Sequence, residues 1–213
     1  SVDYARRKKG LWYYSQRFFA PVLPLLRYED GMILLLAASD LLENVSYSAV
    51  VTAYHLDGTM LSKQSVEGRL FANRVSMLGL WQPEEFGVGY SPRVLPMDGH
   101  STTIPVERNG ELLDTVLYVE LKAGAKTYSN WLVFERFRSL NLVPAALKLS
   151  VRGKKITVSS PVPAFGVFIE TEHDIDLSDN CLNLEPGVPV TITCSAAPGG
   201  VTAASLTDYV ARL

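Results

Sequence analysis

Hydrophobic and polar residues alternate with a period of two along much of the chain, which is the pattern of half-buried β-strands. In the segment 175–193, Val188, Val190 and Ile192 alternate with proline and threonine after the turn Glu185-Pro186-Gly187. This pattern predicts a hairpin of two short strands across that turn. Further strands are predicted at 22–28, 32–38, 47–56, 59–66, 115–121, 127–137, 146–151, 156–160, 165–171 and 205–211.

The turns between these strands have the expected chemistry. Asp57-Gly58 is a hairpin dipeptide, and Asp30-Gly31 separates the first two predicted strands. The strand at 32–38 is apolar on both sides, which indicates a central position in its sheet. Short strands with turn signals every 8–12 residues or so are typical of immunoglobulin-like sandwiches. The predicted fold class is all-β, with two tandem immunoglobulin-like β-sandwich domains after a short N-terminal helix.

The N-terminal helix is predicted over 3–20, where Pro21 prevents its continuation. Leu11, Tyr14, Phe18 and Phe19 are expected to form its buried stripe. Trp12 and Tyr13 lie to the side of that stripe.

Composition and charge exclude several classes of protein. The 213 residues are 47% hydrophobic and 20% charged, which suits an ordinary globular core. With 20 basic against 22 acidic residues, no strong field favours nucleic acid, and the basic run at 6–9 reads as a solvated helical turn. The longest apolar run is too short to cross a bilayer. Neither nucleic acid nor a membrane is therefore an expected partner.

Cys181 and Cys194 are the two cysteines of the chain. Pairing across the predicted hairpin would place Cys181 near residue 191, so two buried free thiols are favoured, while a bond between sheets stays open.

The segment 79–111 is irregular and rich in proline, glycine and aromatic residues. One hypothesis makes Trp12, Trp81 and Tyr90 a stacking platform for a carbohydrate. The alternative, which we favour, is that these aromatic side chains pack on the sandwich.

No pattern for catalysis or metal binding occurs. Glu170, Glu172, Asp174 and Asp176 alternate along one segment, which we interpret as a solvated acidic face rather than a calcium site. The three histidines are isolated, so no zinc cluster is expected. No catalytic residue, cofactor or metal is predicted for this chain.

Ser178-Asp179-Asn180, followed by Leu184 and then Glu185-Pro186-Gly187, forms a distinctive motif within 175–193. This motif resembles a signature of the last immunoglobulin-like domain of β-mannosidases of glycoside hydrolase family 2. The segment 128–144, YSNWLVFERFRSLNLVP, resembles the end of their penultimate domain, and 9–26, KGLWYYSQRFFAPVLPLL, resembles the helix and strand that follow the catalytic barrel.

This resemblance implies a division into three parts. Residues 1–20 would be a helix that leads from a missing catalytic domain, and 21–140 and 141–213 would be the two sandwiches. The catalytic glutamates of that family lie on a barrel of ~250 residues, one of them directly after an asparagine. The chain has no Asn-Glu pair and no room for the barrel, so the resemblance implies a part without activity of its own.

The implied role is a non-catalytic C-terminal accessory region that packs on the barrel, stabilises it and shapes the substrate cleft. The barrel and a mannose-containing glycan are then the expected partners. Two alternatives remain open: an independent carbohydrate-binding module, and a protein-interaction sandwich.

Overall fold

The computed structural model describes residues 2–4, 8–88 and 110–210 of the chain. Its first half is a sandwich of two antiparallel sheets. A three-stranded sheet has the order β1-β2-β5 and faces a four-stranded sheet with the order β4-β3-β6-β7. The strands are β1 (Val22–Glu29), β2 (Met32–Ser39), β3 (Val45–His55), β4 (Met60–Leu70), β5 (Arg74–Trp81), β6 (Thr115–Ala123) and β7 (Lys126–Val133).

Alternate side chains of both sheets meet in the core between them. Ile33 and Leu35 of β2, Val51 of β3 and Leu117 of β6 are fully buried there. The predicted central position of the strand at 32–38 is confirmed, because β2 pairs with both β1 and β5. β5 itself was not predicted, and β7 ends at Val133, before a 3₁₀ turn at Phe137–Ser139.

The second half is a smaller sandwich of two three-stranded sheets, with the orders β12-β9-β8 and β11-β10-β13. Its core includes Ile156, Val167, Leu184 and Ile192. The strands are β8 (Lys148–Arg152), β9 (Lys155–Ser159), β10 (Ala164–Thr171), β11 (Leu182–Leu184), β12 (Val190–Thr193) and β13 (Val201–Ala204). The predicted all-β class with two tandem sandwiches is confirmed.

The predicted hairpin at 175–193 is wrong for the two strands beside the turn, although the ends of the segment do pair through an antiparallel bridge between Leu177 and Cys194. β11 pairs with β10, whereas β12 pairs with β9, so the two strands belong to different sheets. The turn at 185–187 carries the chain from one sheet to the other. Alternation and turn residues are the same for a hairpin and for such a crossover, which is why the sequence pattern did not separate them.

The helices also differ from the prediction: the N-terminal helix, predicted over 3–20, begins only at Gly10 and ends at Phe18, and Val2 and Lys8 before it form an isolated antiparallel bridge. The structure has α1 at Gly10–Phe18, α2 at Gly110–Leu113 and α3 at Leu206–Val210. A strand was predicted at 205–211, but 206–210 is helical. Ser205 caps α3: its hydroxyl accepts the backbone N–H of Asp208 at 3.0 Å and donates to the Asp208 carboxylate at 2.7 Å. Among the described residues, no helix is long and apolar enough to span a membrane.

The predicted buried stripe of the first helix is wrong for three of its four residues, whereas the fourth, Tyr14, is half-buried with its hydroxyl beside Gly166 of the second sandwich. Leu11, Phe18 and Phe19 are 60%, 57% and 85% exposed. The side of α1 that faces the protein instead carries Gly10, Tyr13 and Arg17, which are spaced three and four residues apart. A glycine and an arginine give no hydrophobic periodicity, so the sequence pattern indicated another face.

Candidate functional site

The signature segment 178–187 lies where α1 and both sandwiches meet, and we call these contacts the clamp. Arg17 of α1 reaches this segment with its guanidinium group. It donates hydrogen bonds to the Asp179 carboxylate at 2.6 Å, to the Asn180 carbonyl at 2.9 Å and to the Cys181 carbonyl at 3.0 Å. The carboxylate and two successive carbonyls therefore converge on one cation, which is strong charge-assisted bonding.

The backbone at Cys181 helps to form this arrangement. Its φ of +51° lies in the left-handed region, which non-glycine residues seldom adopt. Gly10 of α1 lies against the Cys181 thiol, and a Cβ built at Gly10 would be 2.9 Å from its sulfur. Burial is the main cause that raises the pKa of the Cys181 thiol, with Asp179 adding to it and Arg17 opposing it. Cys181 and Cys194 are both buried free cysteines.

Asn180 holds the signature segment to strand β10. Its side-chain oxygen accepts the backbone N–H groups of Ile169 and Cys181, each at 2.8 Å, and its amide donates to the Ile169 carbonyl at 2.9 Å. Its side chain is buried. The Asn180 side chain thus satisfies the backbone N–H and carbonyl of Ile169, which a neighbouring strand would otherwise do.

Glu185 joins the signature segment to the first sandwich. The Tyr54 hydroxyl of β3 donates a 2.5 Å hydrogen bond to its carboxylate. Burial, together with this hydrogen bond and the charge of Glu185, raises the pKa of Tyr54 far above its usual range. The neighbouring Gly187 has a φ of +73° and donates its N–H to the Ser160 carbonyl at 2.7 Å.

An aromatic cluster beside Glu185 also spans the two sandwiches. Phe165 of β10 packs edge-to-face on Trp131 of β7 at 5.3 Å and lies 5.1 Å from Phe137. Tyr54 and Leu56 of the first sandwich complete the buried part together with Leu140 of the connector. The two sandwiches therefore share apolar core as well as hydrogen bonds.

A cleft of about 910 Å³ lies between the N-terminal segment and the loop that follows β10. Its lining includes Lys8, Tyr13, Glu170, His173 and Asp176. The ammonium group of Lys8 forms an ion pair with Asp176 at 2.8 Å. Burial and the charge of Asp176 raise the pKa of Tyr13.

The four alternating carboxylates all border this cleft, but they do not converge. β10 ends at Thr171, so only Glu170 retains the strand geometry from which a common face was predicted. Glu172 accepts the N–H of Gly200 at 3.0 Å, and Asp176 is paired with Lys8. Within 2–4, 8–88 and 110–210, no group of three or more acidic, histidine or cysteine side chains is placed to hold a metal.

The proposed sugar platform is not assembled by the residues that the structure describes. Trp81 is only 8% exposed and packs edge-to-face on Phe86 at 5.6 Å, so its ring faces are covered by the core. Trp12 is half-buried, with the Lys8 ammonium 5.9 Å from its ring centroid. Tyr90 lies outside the described residues. For Trp81, the packing alternative of the sequence analysis is the one that the geometry supports.

Two residues of the clamp were missed by the sequence analysis. Arg17 lies within the predicted helix 3–20 and Tyr54 within the predicted strand 47–56, but neither was given a role. Neither has a local sequence signal, because their partners are 162 and 131 residues away in the chain. The signature itself was the available signal, since its polar side chains make these contacts.

The comparisons with known proteins agree with this architecture. The sequence model of a family of Ig-fold domains, the mannosidase Ig family, matches residues 142–209. No curated protein sequence matches the chain. The second sandwich is therefore an Ig-fold domain of the mannosidase type, and the resemblance found in the sequence is confirmed for it.

Two solved structures share the fold over nearly the whole chain. β-D-Mannosidase from Dictyoglomus thermophilum superposes with a TM-score of 0.71 at 17% identity, covering 96% of this chain and 24% of that enzyme. The exo-chitosanase CsxA from Amycolatopsis orientalis gives a TM-score of 0.58 at 16% identity, covering 96% of this chain and 28% of that enzyme. The chain thus spans about a quarter of the length of these structures.

Proposed function

We propose that this chain is the non-catalytic C-terminal accessory region of a β-mannosidase-like glycosidase of family 2. In this role it packs on the catalytic barrel, stabilises it and shapes one side of the substrate cleft. The observation that carries the proposal is the likeness to a β-D-mannosidase over 96% of this chain, which accounts for only 24% of that enzyme. The division into 1–20, 21–140 and 141–213 belongs to this proposal, with 1–20 as the connection from the barrel.

The clamp supports an accessory role. α1 is held to the second sandwich by Arg17, and the second sandwich is held to the first by Glu185 and Phe165. A barrel connected through α1 would therefore be joined to two sandwiches that are themselves held together as one unit. The signature residues that could have formed a ligand site are occupied by these internal contacts.

Hydrolysis assays test the proposal directly. This chain and the complete product of the gene that encodes it are assayed with chromogenic β-mannoside and β-glucosaminide substrates. We expect turnover of the β-mannoside by the complete product and none by the chain. Faster turnover of the glucosaminide would assign the parent to exo-chitosanase-like enzymes, and turnover by the chain alone would overthrow the accessory role.

An independent carbohydrate-binding module is the alternative, with the mannose-containing glycan as its ligand. Calorimetric titration of the chain with mannose, mannobiose and β-1,4-mannan separates the two functions. The buried ring of Trp81 weakens the platform on which that alternative depended. We expect no heat of binding, whereas saturable binding that Trp12→Ala abolishes would favour the module.

A further inference from the structure

The outer face of the β1-β2-β5 sheet is the feature that the clamp and the accessory role leave unexplained. Residues opposite one another in antiparallel strands share a face, and the pairing aligns outward side chains of the three strands in rows across this sheet. Two rows are wholly apolar: Leu23, Ala38 and Val75, and then Leu25, Leu36 and Met77.

The third row adds further apolar surface and a single charge. It consists of Arg27, Leu34 and Leu80, and Arg27 forms an ion pair with Glu29 of its own strand. Antiparallel sheets of sandwiches ordinarily present polar side chains on the outer face. The apolar surface formed by these three rows is called the bare face below.

No described element covers the bare face. Val75 and Met77 are each 65% exposed and Leu80 is 49% exposed, whereas the apolar residues that β1 and β2 contribute to the rows are half-buried. Leu25, Leu34 and the other residues of the rows lie outside the three buried clusters of the described chain. Apart from one another, β1, β2 and β5 mainly contact strands of the facing sheet, on the opposite side.

We propose that the bare face is the docking surface for the catalytic barrel of the parent enzyme. This inference rests on the proposed function and identifies the surface through which it is performed. A contiguous apolar surface with one charged corner suits an interface that is permanently covered, because exposed apolar patches of this kind promote association.

The position of the bare face along the chain favours the barrel as occupant. β1 supplies one edge of the face, and it begins at Val22, four positions after α1 ends at Phe18. A domain joined through α1 is held near this sheet at a high effective concentration, which a separate partner or a second copy lacks. The solved structures that share this fold have about three quarters of their length outside the matched region, so a parent of that kind has ample surface to cover the face.

Amide hydrogen exchange on the unmodified proteins tests the proposal first. We expect residues 74–81 to exchange at least about tenfold more slowly in the complete gene product than in this chain alone, because a covered edge strand opens less often. Residues 60–70 of β4, an edge strand of the other sheet, provide the control and are expected to exchange alike in both proteins.

A matched pair of methionine variants gives the second test. Met77→Glu places a charge on the bare face, and Met60→Glu places one on β4, where Met60 is 52% exposed. Met77→Glu should lower the Tm of the complete product by about 2–4 °C or more and leave the Tm of this chain within about 1 °C. Met60→Glu should change neither.

The outcomes separate this inference from the proposed function. A complete product that hydrolyses a β-glycoside, while residues 74–81 exchange as fast as in the chain alone, overturns the docking face and leaves the accessory role intact. Absence of hydrolysis overturns the accessory role and the barrel as occupant with it. Self-association of the chain that Met77→Glu abolishes, with no effect on the complete product, assigns the bare face to a second copy and overturns the proposal.

Discussion

At the scale of single residues, the hydrogen bonds of the clamp show which polar side chains hold the structure together. Asn180 uses both its acceptor and its donor, and it is buried while doing so. When the oxygen and the nitrogen of a buried amide are both hydrogen-bonded, replacing it by a group that can make only one of these bonds lowers stability. Asp179 and Glu185 also accept hydrogen bonds from residues that are distant in sequence, Arg17 and Tyr54 respectively.

Asn180→Asp is expected to destabilise the chain by about 1–3 kcal/mol, because a carboxylate cannot donate to the Ile169 carbonyl and repels it. Asn183→Asp is the matched control. The Asn183 side-chain oxygen accepts the Gly166 N–H at 3.0 Å at an exposed site, so aspartate preserves that bond. Urea unfolding of both variants measures the difference, and equal losses of stability would refute the assigned role of Asn180.

Two tyrosines beside Glu185 make stability sensitive to alkaline pH. Burial is the main cause that raises the pKa of Tyr118 to about 12, with the charges of Glu185 and Glu120 acting in the same direction and a hydrogen bond to Ser129 opposing them. The pKa of Tyr54 is raised as well. In the unfolded chain a tyrosine loses its proton near pH 10. The stabilisation is therefore complete below pH 10 and is lost as the pH rises through the folded-state pKa.

We expect the free energy of unfolding to fall between about pH 10 and 12 and this fall to be smaller in Tyr118→Phe, which has no proton to lose. Chemical denaturation at a series of pH values measures the slope. Tyr128→Phe is a suitable comparison, since Tyr128 belongs to the same sheet but lies outside this cluster. The same slope in the wild type and in Tyr118→Phe would show that Tyr118 does not contribute.

At the scale of elements, α1 shows how a short helix is held by its surroundings. An isolated helix of nine residues is not stable in water. Tyr13 is its only side chain that the structure buries, and several of its apolar residues are exposed. The three hydrogen bonds from Arg17 are therefore a large part of what keeps α1 on the second sandwich.

Arg17→Ala is expected to release α1 and expose Cys181, which Gly10 now covers. The rate at which a thiol reagent modifies Cys181, followed by peptide mapping, should rise about tenfold or more, since modification requires local opening. Cys194 is an internal control because it belongs to the core of the second sandwich, and Arg27→Ala is a control for loss of a surface arginine. An unchanged rate at Cys181 would show that α1 is held without Arg17.

The elements also differ in how well their sequences predicted them. The strands at 32–38 and 165–171 were predicted closely because their alternation and turns are local properties. β5 was missed because the analysis assigned its end, from Gly79, to the irregular segment. Only glycine fits at position 79, because a Cβ there would lie 2.1 Å from the Trp81 ring.

At the scale of the whole molecule, the two sandwiches meet through a backbone contact as well as through the aromatic cluster. Gly58 of the β3–β4 turn lies against Pro161 of the second sandwich, and a Cβ there would be 2.2 Å from the Pro161 carbonyl oxygen. Gly31 of the β1–β2 turn also has a left-handed backbone, with a φ of +78° compared with +94° at Gly58. A Cβ at Gly31 would meet no atom within 4 Å.

Gly58→Ala should therefore destabilise the chain more than Gly31→Ala does. Both variants carry the cost of a left-handed alanine, about 1–2 kcal/mol, and only Gly58→Ala also forces the sandwiches apart. Thermal unfolding measures both variants, and separation of the transition into two steps in Gly58→Ala alone would show weakened coupling. Equal effects of the two substitutions would contradict a tight contact at Pro161.

The sequence by itself determined the strand content, most turns and the family resemblance, because alternation, turn chemistry and a motif are short-range properties of a chain. Only the tertiary structure decided that β11 and β12 enter different sheets, since sheet membership depends on partners far away in sequence. It likewise decided that the signature forms a clamp, that Trp81 is buried and that no element of 2–4, 8–88 and 110–210 covers the outer side of β2. Whether a side chain is covered depends on what packs against it, and a sequence pattern does not contain that information.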